Sequence, residues 1–149
     1  MHETNKVITF ALTNNKIDYP GAVNQIEKAT HKKMNTTKAI AAIQVIAAQN
    51  PEGFTVDART LQPVASGYAV ALAATQNSFG AEGLDRVVNY VNTHDCVNAF
   101  GGWMDQKTGL YYYDATVIVN DLTAALALAR ENDQIAIFDL NTFGEIRLK

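Results

Sequence analysis

The residue types that could do chemistry are concentrated in the second half of the chain, and the first such group is His94, Asp95 and Cys96. It places a histidine, a carboxylate and a thiol in succession. Side chains of adjacent residues in an extended chain point in opposite directions, so these neighbours cannot form a Cys–His pair among themselves. The segment is therefore predicted to connect the end of a helix to the start of a strand.

No metal or cofactor motif accompanies this group. His2, His31 and His94 do not have the spacing of a metal motif such as HExxH, and Cys96 is the single cysteine, which excludes a multi-thiolate zinc site and an internal disulfide. The chain has no Walker A sequence, no GxGxxG and no GxSxG. We expect no metal and no cofactor. Acid–base catalysis would need carboxylates that converge only in the fold, and the candidates are Asp57, Asp95, Asp114 and Glu145.

The second group is the stretch from Phe100 to Asp114, which reads FGGWMDQKTGLYYYD. Asp105 opens a predicted turn, where its carboxylate can accept hydrogen bonds from backbone N–H groups two or three residues on. Gly109 closes the turn and can adopt the left-handed conformation that a bulged hairpin requires. Because one carboxylate is too few to hold a cation, the acidic turn is predicted to be structural.

Three consecutive tyrosines follow this turn. Side chains alternate along a strand, so Tyr111 and Tyr113 are predicted to share one face, with Leu110, Tyr112 and Asp114 on the other. Core packing needs one of these faces. At least one ring is then expected near solvent, where a stiff aromatic side chain suits recognition.

The strand before the turn contains two glycines and the single tryptophan. Gly101 and Gly102 would let another backbone or a ligand approach closely, and Trp103 is either a core anchor beside a bulge or part of an exposed aromatic patch. The hairpin is thus the candidate binding region. The predicted binding residues are Trp103, Tyr111, Tyr113 and Asp114.

Composition limits the class of protein. The 149 residues are 48% hydrophobic and 18% charged, which is typical of one globular domain. A formal net charge of −3, with no basic run longer than His31 to Lys33, argues against direct nucleic-acid binding. No stretch reaches the roughly 18 apolar residues of a membrane span. We expect a single-domain cytoplasmic protein without membrane association.

The first 52 residues are predicted to be mainly helical. The run Lys6 to Leu12 could be a strand or a loosely attached arm, and a first helix is expected from Pro20 to Lys33. A second helix, capped by a residue between Asn35 and Thr37, would carry the segment Ile40 to Ala48 and end at Asn50-Pro51. This segment is apolar nearly all round. It should therefore be covered on most sides, within the domain or by a second copy in a homodimer.

From Gly53 the pattern changes to strands and helices in the order strand, strand, helix, strand, strand, helix, strand, strand. Ser78 is predicted to cap the first of these two helices, and Asn120 or Asp121 the second. The order predicts an α+β domain with one largely antiparallel sheet and the helices on one of its faces, preceded by the N-terminal helical segment.

The C-terminal half also resembles a known family. The segments GGWMDQKTGLYYYDAT, the Asn120-Asp121-Leu122 helix start and the closing QIAIFDLNTFGEI are similar to a small α+β domain of bacterial phage and conjugative-element (polyvalent-type) proteins. In that domain GGW, an acidic turn with Thr-Gly, an aromatic strand ending in Asp, a helix and an Asn-x-Gln-x-Ala-Ile-x-Asp strand follow one another. The resemblance covers Gly53 to Leu148.

The resemblance implies a mobile-element origin and a bacterial host cell, but it carries no biochemical role. Among short acidic proteins of that origin, a non-catalytic protein that binds a host or phage protein is the favoured expectation, including an inhibitor of a host defence nuclease of the anti-CRISPR or antirestriction type. The alternative is a small hydrolase or transferase. Its cleft would lie near the hairpin residues Trp103, Tyr111, Tyr113 and Asp114.

Overall fold

The computed structural model describes residues 35–149. The predicted strand or arm at Lys6 to Leu12 and the predicted helix at Pro20 to Lys33 lie outside the described residues. The elements that follow are three α-helices, a short 3₁₀ helix and seven strands. In chain order they are α1 (Thr36–Gln49), β1 (Gly53–Asp57), β2 (Tyr68–Ala71), the 3₁₀ helix (Ala73–Thr75), β3 (Ser78–Phe79), α2 (Gly80–Thr93), β4 (Ala99–Met104), β5 (Tyr111–Val119), α3 (Leu122–Glu131), β6 (Ala136–Asp139) and β7 (Gly144–Arg147).

One antiparallel sheet holds all seven strands in the order β1-β4-β5-β2-β6-β7, and β3 pairs with β5 beside this path. The long strand β5 is central: β4 runs along one side of it, and β2 and β3 follow each other along the other side. The predicted α+β class with a largely antiparallel sheet is confirmed.

All three helices pack on the same face of this sheet. On β5, Tyr113 and Ala115 belong to one apolar cluster with α1 and α2, whereas Val119 belongs to another with α3. These β5 residues have the same parity, so their side chains point the same way. The predicted placement of the helices on one face is confirmed, and we call it the helix face.

The opposite face of the sheet is also buried in large part. Ile118 of β5 packs there with Ala69, Ala99, Phe138 and with Val64 from the loop between β1 and β2. That loop also returns along the outer edge of β1, where the Val64 N–H donates to the Thr55 carbonyl at 3.1 Å. We call this side the second face.

Helix α1 begins and ends where the sequence indicates. The Asn35 side chain accepts a hydrogen bond from the Lys38 N–H at 3.1 Å, and Asn50 ends the helix before Pro51. Ala39, Ile43 and Ala47 form its buried face, but Val45 is 56% exposed. Residues 35–149 therefore do not cover this helix on most sides, and cover by a second copy stays a prediction.

The start of α2 differs from the prediction. Ser78 does not cap this helix, because it belongs to β3 and its hydroxyl donates to the Thr75 carbonyl at 2.7 Å. The N-cap is Phe79, which makes no side-chain capping bond. By contrast, the predicted cap at Asp121 is confirmed, since its carboxylate accepts from the Ala124 N–H at 2.8 Å.

None of the helices within residues 35–149 is both long and apolar enough to cross a membrane.

Candidate functional site

The turn between β4 and β5 has the predicted geometry. The Asp105 carboxylate accepts hydrogen bonds from the Lys107 N–H and the Thr108 hydroxyl, each at 3.0 Å, and the Gly109 N–H donates to the Asp105 carbonyl at 2.8 Å. Gly109 has φ of +77°, the left-handed conformation. Asp105 is buried, so its carboxylate fixes the turn and is not presented at the surface.

Tyr111 and Tyr113 point to the helix face. Their ring centroids are 5.3 Å apart, and both contact Phe54 of β1, at 6.3 and 6.4 Å. Tyr113 is 8% exposed and Tyr111 is half-buried, with its hydroxyl donating to the Asn50 carbonyl at 2.8 Å. The Tyr111 ring thereby connects β5 to the end of α1.

The two tyrosine hydroxyls are held in their neutral form. Burial raises the pKa of Tyr111 well above its ordinary value, and the neighbouring Tyr113 adds to the effect by electrostatic repulsion between phenolates. Burial also raises the pKa of Tyr113. These groups are therefore hydrogen-bonding phenols at neutral pH and not phenolate nucleophiles.

Trp103 and Asp114 lie on the second face. Trp103 is 2% exposed, and its ring stacks on Tyr112 with centroids 4.7 Å apart and planes 12° from parallel. Asp114 is buried, and its carboxylate accepts a hydrogen bond from the Thr116 hydroxyl. Of the two interpretations of Trp103, the structure supports the core anchor.

The four predicted binding residues are therefore divided between the two sides of the sheet. Tyr111 and Tyr113 contact each other on the helix face, whereas Trp103 and Asp114 lie on the second face. The sheet separates the two pairs, so they do not line one common cleft. Burial also leaves Trp103, Tyr113 and Asp114 little side-chain surface to offer a partner.

The His94 segment connects α2 to β4, as predicted. His94 is the C-cap of α2, its Nδ1 lies 2.9 Å from the Tyr90 carbonyl oxygen, and its ring stacks on Tyr90 at 3.7 Å. Cys96 is exposed. In residues 35–149 there is no group of three or more His, Cys, Asp and Glu side chains arranged to hold a metal ion.

The other candidate carboxylates have separate local roles. Asp57 accepts hydrogen bonds from the backbone N–H groups of Arg59 and Thr60, at 2.8 and 3.0 Å, and so shapes the turn after β1. Glu145 lies on β7, at the opposite edge of the sheet from β1. These carboxylates do not converge.

A groove with an exposed aromatic ring lies at the junction of β3 and α2. Its volume is about 540 Å³. Phe79, 44% exposed, is the apolar residue among those that line it, and its ring meets Tyr112 of the second face edge-on, with centroids 5.4 Å apart and planes at 68°. The remaining lining residues are Asn77, Ser78, Glu82, Gly83, Asp85, Arg86 and Asn89. We call this the Phe79 groove.

Backbone geometry fixes Phe79 at this place. Asn77 before β3 has φ of +64° and Gly80 after it has φ of +67°, so the two-residue strand is bounded by left-handed residues. A Cβ on Gly83 would lie 2.4 Å from the Ser78 carbonyl carbon, so the glycine lets α2 pack directly on the β3 backbone. The Arg86 guanidinium donates to the Gln76 carbonyl at 2.9 Å and ties α2 to the preceding loop.

Phe79 was not among the residues predicted from the sequence. The available signal was the sequence Asn77-Ser78-Phe79-Gly80, in which two residue types that tolerate the left-handed conformation bracket an aromatic residue. Such a pattern indicates a tight bend that can force a large ring outward.

In the comparison with known proteins, no protein-family model, no curated protein and no solved structure matches this chain.

Proposed function

We propose that this protein is a non-catalytic protein-binding protein and that the Phe79 groove is its binding surface. The observation that carries the proposal is the exposed aromatic residue Phe79 at a groove whose other lining residues include Glu82, Asp85 and Arg86. Aromatic side chains, phenylalanine among them, are enriched in the buried core of protein interfaces, because a flat ring buries much area with little loss of side-chain entropy.

The way in which the ring is held supports the proposal. Phe79 is bounded by two left-handed residues and rests edge-on against Tyr112, which itself stacks on the buried Trp103. A preorganised ring loses little freedom when a partner covers it, so more of the contact energy remains as affinity. The aromatic residues of the hairpin thus support the exposed ring from below.

The charges around the groove suggest the chemistry of the partner. Glu82 and Asp85 contribute two carboxylates and Arg86 one guanidinium, which is held toward the Gln76 carbonyl, so negative charge is in excess by one. A protein that presents an apolar side chain flanked by lysine or arginine would complement this surface. The net charge of −3 would favour approach of a basic partner as well.

The resemblance to phage and mobile-element proteins suggests where to look for this partner. A host or phage protein is the class to test, and a host defence nuclease is a member of that class with extended basic surfaces. The protein would then act by occluding such a surface. The enzyme alternative stays a prediction, and none of the groups in the Phe79 groove forms a nucleophile–base pair in the geometry described above.

The test compares two exposed phenylalanines. The tagged protein and its Phe79→Ala and Phe143→Ala variants are used to capture proteins from a bacterial lysate, and the captured protein is purified and titrated against each variant. Phe143 is the matched control, since it is 59% exposed but lies in the turn between β6 and β7. We expect Phe79→Ala to weaken binding by at least tenfold, or about 1.4 kcal/mol, while Phe143→Ala binds like the wild type.

A second pair of variants separates this surface from the hairpin residues predicted from the sequence. Tyr111→Ala and Tyr113→Ala are compared with Phe79→Ala for both binding and thermal stability. If a tyrosine variant loses binding with an unchanged melting temperature while Phe79→Ala binds normally, the surface lies at the tyrosines and the Phe79 groove is not the site.

A further inference from the structure

The outer edge of strand β7 is a second surface that could bind another chain. Its inner side pairs with β6 in the register Ile137↔Ile146. Within the described part of the chain, β7 is the last strand of the sheet and no strand pairs with its outer side. An open strand edge presents backbone N–H and C=O groups that can pair with another strand.

The residues whose backbone groups face outward can be identified from the register. The Leu148 N–H donates to the Ile135 carbonyl at 2.7 Å, which makes Ile135 and Leu148 a hydrogen-bonded pair. Hydrogen-bonded and non-hydrogen-bonded pairs alternate along an antiparallel ladder, so Ile146 also bonds inward to β6. The N–H and C=O groups of Glu145 and Arg147 therefore point away from the sheet.

The same two residues carry opposite charges on exposed side chains. The Arg147 guanidinium and the Glu145 carboxylate lie 3.5 Å apart along the strand, with side-chain exposures of 51% and 29%. A strand with the order Glu145-Ile146-Arg147 is complementary to itself when it is reversed. Two copies that pair antiparallel about a two-fold axis at Ile146 would place Glu145 of each copy opposite Arg147 of the other.

We propose that this protein forms a two-fold symmetric homodimer through antiparallel pairing of β7 with β7 of a second copy, centred on Ile146. In this register the outward N–H and C=O groups of Glu145 pair with those of Arg147 in the second copy, and the symmetry doubles each interaction. The two sheets join into one continuous sheet across the dimer.

The charges also exclude the neighbouring registers. A shift of the axis to Glu145 places two identical carboxylates opposite each other, and a shift to Arg147 does the same with two guanidinium groups. Like charges directly opposite in adjacent strands destabilise the pairing. The sequence of β7 thus favours the register in which the outward backbone groups form hydrogen bonds and the side chains of Glu145 and Arg147 form ion pairs.

The helix face of β7 supplies apolar area for the same contact. Ile146 and Leu148 are only partly buried against the cluster that contains Ala125 and Ala129 of α3. Helix α3 packs over β2, β5 and β6, so the outermost strand has less cover than its neighbours. Pairing about Ile146 brings the two Ile146 side chains next to each other between the two α3 helices, where both lose contact with water.

The test uses a charge reversal and its rescue. Sedimentation equilibrium is measured over a series of concentrations for the wild type, Glu145→Arg, Arg147→Glu and the double variant with both changes. Each single variant places like charges opposite each other at two symmetric positions, so we expect its dimer dissociation constant to rise by at least about tenfold. The double variant restores opposite charges in the reversed order, so it should dimerise like the wild type.

Amide hydrogen exchange gives an independent readout at the level of single N–H groups. The Glu145 and Arg147 amides should gain much more protection as the protein concentration rises than the Ile146 and Leu148 amides, which are already bonded within the sheet. A wild-type protein that stays monomeric at the highest concentration would overturn the proposal, as would a dimer that both single variants retain or a double variant that stays dissociated.

Discussion

At the scale of single residues, the glycines of β4 show how a missing side chain can determine the packing of a sheet. A Cβ on Gly101 would lie 2.5 Å from an Asp114 carboxylate oxygen, and a Cβ on Gly102 would lie 2.2 Å from the Phe54 ring. The two glycines face opposite sides of the sheet. The space that they leave is filled by side chains of the neighbouring strands, Asp114 on the second face and Phe54 on the helix face, so neither glycine opens a path for a ligand.

Gly109 has a different role, which depends on its backbone conformation and not on space. Its φ is +77°, and a Cβ built there would contact nothing within 4 Å. The Gly109→Val variant should therefore lose about 1 to 3 kcal/mol of unfolding free energy from backbone strain alone. Asparagine tolerates the left-handed region, so Gly109→Asn should cost clearly less.

Urea denaturation of the two variants measures this difference directly. The midpoint of Gly109→Val should fall below that of Gly109→Asn, with the wild type highest. Equal midpoints for valine and wild type would contradict the role of φ in this turn.

At the scale of elements, helix α1 makes a prediction about which of its sides is covered in solution. Ile43 is fully buried among residues of α2 and the sheet, whereas Val45 is 56% exposed. Ile43→Ala should lower the unfolding free energy by about 2 to 5 kcal/mol through lost burial and a cavity. Val45→Ala should change it by no more than about 0.5 kcal/mol.

The same pair of variants tests the expectation that a second copy covers α1. If Val45→Ala is as destabilising as a core substitution, and the loss depends on protein concentration, a partner covers Val45 in solution. A small effect at every concentration means that this side of α1 stays in water and that the β7 edge is the contact to examine.

The elements that could be predicted from the sequence are those that have a strong periodic pattern of apolar residues and a capping or turn residue at one end. Helix α3 has apolar residues at helical spacing after Asp121, and β5 has nine residues rich in aromatic and β-branched side chains next to a glycine turn. The 3₁₀ helix and β3 could not be predicted in this way, because two or three residues are too short for a period to appear. Ser78 is a good cap by type, but its pairing with Tyr113 of β5 holds it in a strand, and its hydroxyl donates locally to the Thr75 carbonyl.

At the scale of the whole molecule, the sequence could predict that neighbouring tyrosines alternate, but not which face is covered. Tyr111 and Tyr113 point to one face of the sheet and Tyr112 to the other, as expected. Which of the two faces is covered depends on where the helices pack. Helices α1 and α2 cover the first pair, while Tyr112 lies between Trp103 and the exposed Phe79. Exposure depends on elements distant in the chain, so the most exposed ring of this aromatic stack belongs to β3, a strand that no periodic pattern revealed.

The position of the two tyrosines under the helices also makes the stability of the molecule depend on alkaline pH. The folded-state pKa of Tyr111 and of Tyr113 lies above the ordinary value of 10.0. Above about pH 10 the unfolded chain releases these protons while the folded chain keeps them, so the folded state binds more protons and the unfolding free energy falls as pH rises. This contribution to the unfolding free energy is fully present below about pH 10. It is lost as the pH rises from about 10 toward the pKa of the tyrosines in the folded protein.

The Tyr111→Phe variant isolates this effect. At neutral pH it should be less stable than the wild type by about 1 kcal/mol, because the hydroxyl that donates to the Asn50 carbonyl is removed. That deficit should shrink between about pH 9 and about pH 11, since phenylalanine has no proton to lose and the variant's stability declines less steeply. Urea denaturation at these two pH values, together with the ultraviolet absorbance of tyrosinate, gives both the stability difference and the ionisation of the folded state. A deficit that stays constant or grows with pH would mean that Tyr111 ionises in the folded protein as easily as in the unfolded chain, and that its ring is not held beneath the helices.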